Sequence, residues 1–123
     1  MEYILGNNTI KLDSVSSTNE YALSLIENEE DENGMIISAN FQTAGQGQEN
    51  NVWVSNPGEN IIMSIIYYPD FIPPQNQFIL SKSISLGILD LIRITLKGKQ
   101  ISCKIKWPND IYAGNRKIAG ILI

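Results

Sequence analysis

Apolar and polar residues alternate with a period of two between Ile101 and Trp107, near the end of the chain. The apolar positions are Ile101, Cys103, Ile105 and Trp107, and the polar ones are Ser102, Lys104 and Lys106. This period is typical of a strand with one buried face. Proline cannot donate a hydrogen bond to a neighbouring strand, so the strand is predicted to end at Pro108.

A hairpin is predicted to follow this strand. Asn109-Asp110 forms a bend, Ile111-Tyr112 resumes an extended path, and Ala113-Gly114-Asn115 turns the chain back into a strand from Lys117 to Ile123. Cations gathered around such a turn suit a phosphate or a carboxylate, although a single lysine on a strand is usually just solvated. A glycine inside the last strand, Gly120, indicates a bulge or the close approach of a ligand or another backbone.

Two helices are predicted from spacing. The first begins at the capping pattern Ser17-Thr18-Asn19-Glu20, after which Tyr21, Ala22, Leu25 and Ile26 lie on one face. The second extends from Gln75 to Leu96, with Gly98 as its stop signal. Its apolar positions predict burial around much of its circumference; they are Ile79, Leu80, Ile84, Leu86, Ile88, Leu89, Leu91, Ile92 and Ile94.

The remaining apolar segments have strand length, and a long polar loop, residues 42–51, separates two of them. These strands are Tyr3–Leu5, Thr9–Leu12, Met35–Phe41, Val52–Val54 and Asn60–Tyr68. The order of elements predicts an α+β fold: a mixed, mostly antiparallel sheet with helices packed on one face.

Composition narrows the possible functions. The 123 residues predict one domain over 1–123, and the net charge of −4 argues against general affinity for nucleic acid. No transmembrane run or signal peptide is evident, so a cytoplasmic location is expected. The sequence has no histidine, which excludes Ser-His-Asp chemistry and histidine-ligated metal, and Cys103 is predicted to be a core residue. Catalysis must therefore come from positioning and electrostatics.

Two further segments could bind a ligand. Ser17-Thr18-Asn19 places hydroxyl and amide groups at a helix N-terminus, which suits a polar or anionic group, but a plain helix cap explains it as well. Gly45 and Gly47 alternate in the polar loop, where positive φ angles would let the backbone wrap a ligand. The spacing is neither a Walker loop nor a dinucleotide fingerprint, so an ordinary surface loop is the alternative.

Taken together, these segments closely resemble biotin–protein ligases, in the right order and over nearly the whole chain. The motifs are Asp13-Ser14-Val15-Ser16-Ser17-Thr18-Asn19, Gln42-Thr43-Ala44-Gly45-x-Gly47 with Trp53, Lys106-Trp107-Pro108-Asn109-Asp110, and Arg116-Lys117-Ile118-Ala119-Gly120-Ile121-Leu122. The resemblance implies a catalytic fold like that of class II aminoacyl-tRNA synthetases, of the single-function type without a winged helix. Ligases of this family continue with further strands and a small C-terminal domain, so an incomplete catalytic domain is expected.

The resemblance also implies a two-step reaction and roles for individual residues. Biotin attacks Mg-ATP to give biotinyl-AMP, and a lysine of a biotin carboxyl carrier protein then takes the biotinyl group. The implied catalytic residues are Lys117 and Lys106. The implied biotin contacts are Ser17, Thr18, Asn19, Gln42, Gly45, Gln46, Gly47, Gln48, Lys117 and Gly120. The implied ATP or adenylate contacts are Trp53, Asn109, Asp110 and Arg116, and no protein residue is assigned to the metal.

The chain departs from the family in the polar loop, where Gln46 and Gln48 stand in place of arginines. A neutral amide makes weaker contacts with an anion than a guanidinium does, so activity is expected to be reduced but not abolished. A lipoate or octanoate ligase and a non-catalytic biotin- or nucleotide-binding module are the alternatives, and the Lys106–Asp110 run favours biotin. The apolar last strand could also pair with a second copy of the chain.

Overall fold

The computed structural model describes residues 5–123. The strand predicted at Tyr3–Leu5 lies outside the described residues except for Leu5, which is part of a turn. The chain divides into two compact units, Met1–Pro69 (unit 1) and Asp70–Ile123 (unit 2). The prediction that residues 1–123 form one ligase-type domain stays a prediction. Neither helix in the described part of the chain is long and apolar enough to cross a membrane.

Unit 1 is built on a three-stranded sheet and one helix. Its elements are β1 (Thr9–Val15), α1 (Thr18–Glu27), β2 (Ile36–Gln42), β3 (Gly45–Gln46), β4 (Val52–Trp53) and β5 (Ile62–Ile65). The sheet has the order β1-β2-β5, with β1 parallel to β2 and β2 antiparallel to β5. A parallel pair needs a crossover connection, and α1 supplies it.

The strand predicted over Asn60–Tyr68 is confirmed only for its central residues, because β5 spans Ile62–Ile65.

The core of unit 1 lies between α1 and the sheet. Ala22 and Leu25 of the helix are buried together with Met35, Ile37 and Ile66. The predicted helical face is therefore correct for Ala22 and Leu25, against which Tyr21 packs, but Ile26 is 38% exposed. The acidic segment after α1 ends at Gly34, whose φ of +87° needs glycine, and the next residues enter β2.

The segment predicted as a polar loop, residues 42–51, contains regular secondary structure. Its residues extend β2 through Gln42, and β3 then pairs with β4 as an antiparallel hairpin around a short 3-10 turn at Gln48–Asn50. The prediction that its glycines adopt positive φ is wrong, because that conformation occurs at Glu49 (φ 54°) and Asn50 (φ 62°) instead. We call residues 45–53 the flap.

Unit 2 consists of one long helix on a three-stranded antiparallel sheet. A short 3-10 helix at Pro74–Asn76 leads into α2 (Phe78–Thr95), which is followed by β6 (Cys103–Lys106), β7 (Asp110–Ala113) and β8 (Arg116–Gly120). The sheet order is β6-β7-β8, as the hairpin prediction requires. Leu89 packs against Cys103 and Ile111 in the core, which confirms the structural assignment of the cysteine.

Two burial predictions for unit 2 are wrong. Helix α2 is buried on one side only: Leu91 is 62% exposed and Ile94 is 71% exposed. Trp107 was placed on the buried face of its strand but is 69% exposed, because β6 ends one residue earlier and the chain turns there. Its ring instead contacts Phe78, with the ring centroids 4.7 Å apart.

The last strand is shorter than predicted and irregular. It ends at Gly120, not at Ile123. Tyr112 pairs with Lys117 and Ile111 pairs with Ala119, so Ile118 is an extra residue that forms a bulge. The bulge that Gly120 led us to expect is therefore present, two residues before the glycine.

Candidate active site

The first predicted binding segment begins α1. Ser17 is the N-cap residue, and its hydroxyl oxygen accepts a weak hydrogen bond of 3.4 Å from the backbone N–H of Glu20. Ser17 and Thr18 are almost completely buried, at 1% and 3% exposure. A plain helix cap can stay exposed to solvent, whereas these two hydroxyl-bearing residues are buried. Buried polar groups must be hydrogen-bonded, so partners for them are expected nearby.

Gln42 lies at the end of β2 and binds this helix start. Its side-chain oxygen accepts hydrogen bonds from the backbone N–H of Thr18, at 2.8 Å, and from the Thr18 hydroxyl, at 3.1 Å. One of the helix's free N–H groups is thereby satisfied by a residue distant in sequence. The sequence motifs placed both residues in one pocket, and the structure brings them into direct contact.

Ser64 of β5 completes the cluster, and sequence reasoning missed it. Its hydroxyl lies 2.8 Å from the Thr18 hydroxyl and within hydrogen-bond distance of Asn19 Oδ1. The register of the sheet aligns Ser64 with Ile37 and Ile10, on the face that carries α1. The available signal was a single hydroxyl within the apolar run of residues 61–66. We call Ser17, Thr18, Asn19, Gln42 and Ser64 the α1 cluster.

The flap is attached to the same helix. The Gln46 amide nitrogen donates a 2.7 Å hydrogen bond to one oxygen of Glu20, and the Ser16 hydroxyl donates a 2.8 Å bond to the other. In the predicted capping box, Glu20 would instead bind the backbone of Ser17. In the structure the Glu20 carboxylate binds the Gln46 side chain of the flap instead. Gly47 and Gln48 follow at the tip, and the Gly47 N–H donates to the Asn51 carbonyl oxygen at 2.7 Å.

Gly45 is required by close packing, not by backbone conformation. A Cβ atom at this position would lie 2.5 Å from the carbonyl oxygen of Trp53 and 2.9 Å from the Gln42 amide nitrogen. Both distances are shorter than real Cβ contacts. The side chain of Trp53, the residue predicted to close the adenine side, is half-buried in β4. At Gly47 the nearest atom would be 3.4 Å away.

The second group of predicted residues lies on the hairpin of unit 2. Lys117 Nζ is 2.7 Å from Asp110 Oδ1, with the two side chains 35% and 22% exposed. Asn109 donates its side-chain N–H to the Ile121 carbonyl oxygen at 2.8 Å, and its own carbonyl accepts the Ile121 N–H at 3.0 Å. The Asn109 side chain therefore closes the base of the hairpin, a structural role that is independent of any ATP contact.

The other residues of this group are exposed. Lys106 Nζ lies 5.7 Å from the centroid of the Tyr112 ring, a cation–π distance, and Arg116 and Gly120 are exposed at the two ends of β8. Charge is unevenly distributed along the sequence: residues 70–123 hold eight of the nine lysines and arginines but only three of the thirteen acidic residues.

The structure thus brings the predicted residues together as two groups, one in each unit. In unit 1 the Gln42 amide of the α1 cluster lies beside Gly45 of the flap, and Glu20, on the same helix as the cluster, accepts a hydrogen bond from Gln46 of the flap. In unit 2 a paired lysine and aspartate lie beside further cations on one hairpin. Hydrogen-bonding groups that suit a neutral polar ring and cations that suit carboxylates or phosphates are therefore both present.

Comparisons with known proteins give the same family. A family model described as the biotin/lipoate A/B protein ligase family matches residues 12–123. A bifunctional ligase/repressor BirA from Bacillus spizizenii is 37% identical over 119 residues, which cover 97% of this chain and 35% of that protein. A biotin–[acetyl-CoA-carboxylase] ligase from Mycobacterium tuberculosis is 32% identical over 120 residues, which cover 95% of this chain and 45% of that protein. The chain spans less than half the length of these two curated relatives.

A solved structure with a similar fold is the biotin protein ligase from Aquifex aeolicus in complex with biotin and ATP. It is 27% identical and superimposes with a TM-score of 0.75, covering 94% of this chain and 46% of that one. This similarity confirms the predicted α+β fold of the ligase type. On the family match over residues 12–123, the chain belongs to the biotin/lipoate A/B protein ligase family.

Proposed function

We propose that this chain activates biotin with ATP as biotinyl-AMP and transfers the biotinyl group to a lysine of a biotin carboxyl carrier protein. The observation that carries the proposal is the α1 cluster, in which the hydroxyls of Thr18 and Ser64 and the amides of Asn19 and Gln42 are joined by hydrogen bonds. A preorganised set of neutral donors and acceptors suits a ureido ring, which has one carbonyl acceptor and two N–H donors.

In the first step an oxygen of the biotin carboxylate forms a bond with the α-phosphorus of ATP. The bond from that phosphorus to the bridging oxygen breaks, and its electron pair leaves with pyrophosphate. Two anions must approach each other, so the protein's part is to neutralise charge and to orient the reactants. Lys117 is the residue proposed to stabilise the carboxylate and then the mixed anhydride, and Lys106 the residue proposed to bind phosphate.

In the second step the neutral amine of the carrier lysine attacks the carbonyl carbon of biotinyl-AMP. A carbon–nitrogen bond forms, the carbon–oxygen bond to AMP breaks with its electron pair leaving on AMP, and the amine nitrogen releases a proton to solvent. The nucleophiles in both steps belong to the substrates, which is consistent with a chain that has no histidine. The 2.7 Å ion pair with Asp110 positions the Lys117 ammonium before the substrates bind, and such preorganisation reduces the reorganisation needed in the transition state.

Magnesium enters this proposal as part of the Mg–ATP substrate. Within residues 5–123, no three or more acidic or cysteine side chains converge on a point where they could hold a metal ion. Magnesium is commonly held by one or two carboxylates together with the phosphates of its nucleotide, and it keeps several waters. The donor set in the described part of the chain fits that mode of binding better than an all-protein cage, and no step is assigned to a residue-bound metal.

The flap is proposed to cover the bound adenylate with neutral side chains. Gln46 and Gln48 offer amide donors, each weaker toward an anion than a charged guanidinium. We therefore expect biotinyl-AMP to dissociate faster than it would from a flap with arginines, and activity to be correspondingly reduced.

The test is an adenylation assay on the purified chain with biotin, magnesium and ATP labelled on its α-phosphate. Biotin-dependent formation of labelled biotinyl-AMP with equimolar release of pyrophosphate is expected. When a carrier domain is added, the biotinyl group should move to it and the label should be released as AMP. If lipoate or octanoate supports pyrophosphate release and biotin does not, the chain is the other type of ligase. If calorimetry detects biotin binding but no pyrophosphate is released, the chain is a binding module and the proposal is wrong.

A further inference from the structure

The sheet of unit 2 has one face that α2 does not cover. Strand register places Lys104 opposite Tyr112 and Tyr112 opposite Lys117, and it places Lys106 opposite Asp110 and Asp110 opposite Gly120. Paired residues of neighbouring strands project to the same side of a sheet, as do residues two apart along one strand. The six residues of this face, called the lysine face, are Lys104, Lys106, Asp110, Tyr112, Lys117 and Gly120.

Side-chain contacts agree with this placement. Lys117 reaches Asp110 at 2.7 Å, and the ammonium of Lys106 lies 5.7 Å from the Tyr112 ring centroid. The opposite face carries Cys103 and Ile111, which pack against α2. Lys104 thus shares a face with both lysines of the proposed function, although no motif of the sequence singled it out.

The lysine face has an excess of positive charge. Three ammonium groups face one carboxylate, and that carboxylate is already paired with Lys117. Lys104 and Lys106 are exposed on the same side of one strand, about 7 Å apart along it, so their like charges repel each other. Gly120 lies in the same cross-strand row as Lys106 and Asp110. Because it has no side chain, a ligand can approach the backbone closely at this point.

We propose that Lys104 is a phosphate-binding residue of this chain and holds, together with Lys106, the β- and γ-phosphates of ATP and the pyrophosphate formed from them. This inference rests on the proposed function and extends it to a residue outside the ligase motifs. When the bond between the α-phosphorus and the bridging oxygen breaks, negative charge grows on the departing pyrophosphate. Two ammonium groups on the lysine face stabilise that charge and hold the leaving group away from the α-phosphorus.

Inorganic pyrophosphate alone is the probe for a direct binding test on the full chain, because binding does not require the chain to be active. Calorimetry at low and at moderate ionic strength is expected to show binding that weakens with salt. Lys104→Ala and Lys104→Gln are expected to weaken it about tenfold, and Lys104→Arg to restore most of the affinity. The matched control Lys99→Ala removes the same charge from an exposed turn of unit 2 and should bind like the unaltered chain.

A kinetic arm separates this inference from the proposed function. In the adenylation assay Lys104→Ala is expected to raise the KM for ATP about tenfold and to leave the dissociation constant for biotin unchanged. Absence of biotinyl-AMP with the unaltered chain would refute the proposed function, while the pyrophosphate titrations would still decide the role of Lys104. The inference is overturned if pyrophosphate does not bind the unaltered chain, if Lys104→Ala binds it equally well, or if Lys104→Ala raises only the KM for the carrier protein.

Discussion

The side-chain oxygen of Gln42 accepts two hydrogen bonds from Thr18, one from its backbone N–H and one from its hydroxyl. The end of β2 is thereby joined to the first residue of α1, and the orientation of the Gln42 amide is fixed. Its nitrogen lies beside Gly45, since a Cβ atom there would be 2.9 Å from it. One side chain thus binds the helix start through its oxygen and faces the flap with its nitrogen.

Replacing Gln42 by alanine is expected to affect both folding and binding. The N–H of the almost fully buried Thr18 would lose its partner, which should cost about 1–2 kcal/mol in the free energy of unfolding. Biotin affinity, measured by calorimetry, should fall at least about tenfold because one hydrogen-bonding group of the site is removed. The matched control is Asn40→Ala, on the same strand but exposed. Equal biotin affinity in both variants would contradict the role of Gln42.

The two flap glycines provide a second prediction. Gly45→Ala would bring a Cβ atom to 2.5 Å from a backbone carbonyl, so β3 and β4 must separate. We expect a loss of about 1–3 kcal/mol in the free energy of unfolding, and weaker biotin binding. Gly47→Ala meets its nearest atom at 3.4 Å with φ of −116°, a conformation that alanine adopts freely. Thermal melts of the two variants should therefore differ, and similar melting temperatures would refute the packing argument.

Ser64→Ala tests the residue that the sequence did not reveal. Removing its hydroxyl takes a hydrogen-bond partner from Thr18 and from Asn19 without changing the apolar packing of β5. We expect biotin affinity to fall about three- to tenfold with a stability change of about 1 kcal/mol or less. Ser38→Ala is the matched control, since its hydroxyl lies 3.5 Å from a backbone carbonyl of β1, on the opposite face of the sheet. Unchanged biotin affinity in Ser64→Ala would show that Ser64 does not contribute to biotin binding.

Local patterns were sufficient to predict the elements that hold most of the candidate residues. The capping residues located the start of α1, the alternation around Cys103 located β6, and the Gly114-Asn115 turn located the hairpin of β7 and β8. Each of these signals depends on neighbours within a few residues, such as a cap, a period or a turn, so tertiary contacts are not needed to detect it.

Features that depend on tertiary contacts were not predictable in the same way. The Ser64 hydroxyl belongs to the site because it contacts Thr18 and Asn19, which are distant from it in the sequence. No local sequence pattern reports such a contact. The exposure of Leu91 and Ile94 follows from which side of α2 meets the sheet, whereas their apolar character alone suggested burial. The need for glycine at position 45 comes from the carbonyl of Trp53 on the neighbouring strand, not from a backbone angle.

Lys117→Ala is expected to slow formation of biotinyl-AMP by about 10²–10³-fold, because a positioned cation that stabilises developing charge makes a contribution of that size. The equilibrium affinity for biotin should change much less, so single-turnover rates and calorimetry must be measured together. Lys97→Ala, an exposed lysine just after α2, is the control for loss of charge. A single-turnover rate like that of the unaltered chain would show that Lys117 does not act on the reacting groups.

Tyr68 should make stability depend on pH in the alkaline range. Its hydroxyl donates a 2.6 Å hydrogen bond to Asp31, and this bond, with burial and the charge of the carboxylate, raises the pKa of Tyr68 above its ordinary 10.0. The folded state therefore holds the phenol proton more tightly than the unfolded state does. Its stabilising effect is complete below pH about 10 and is lost as pH rises through the higher pKa of the folded state. Tyr68 is 48% exposed, so solvent screens its bond to Asp31, and Tyr68→Phe should be less stable by no more than about 0.5 kcal/mol at pH 8. The difference should shrink in urea unfolding above pH about 10. A difference that stays constant up to pH about 11 would show that the bond to Asp31 does not control this titration.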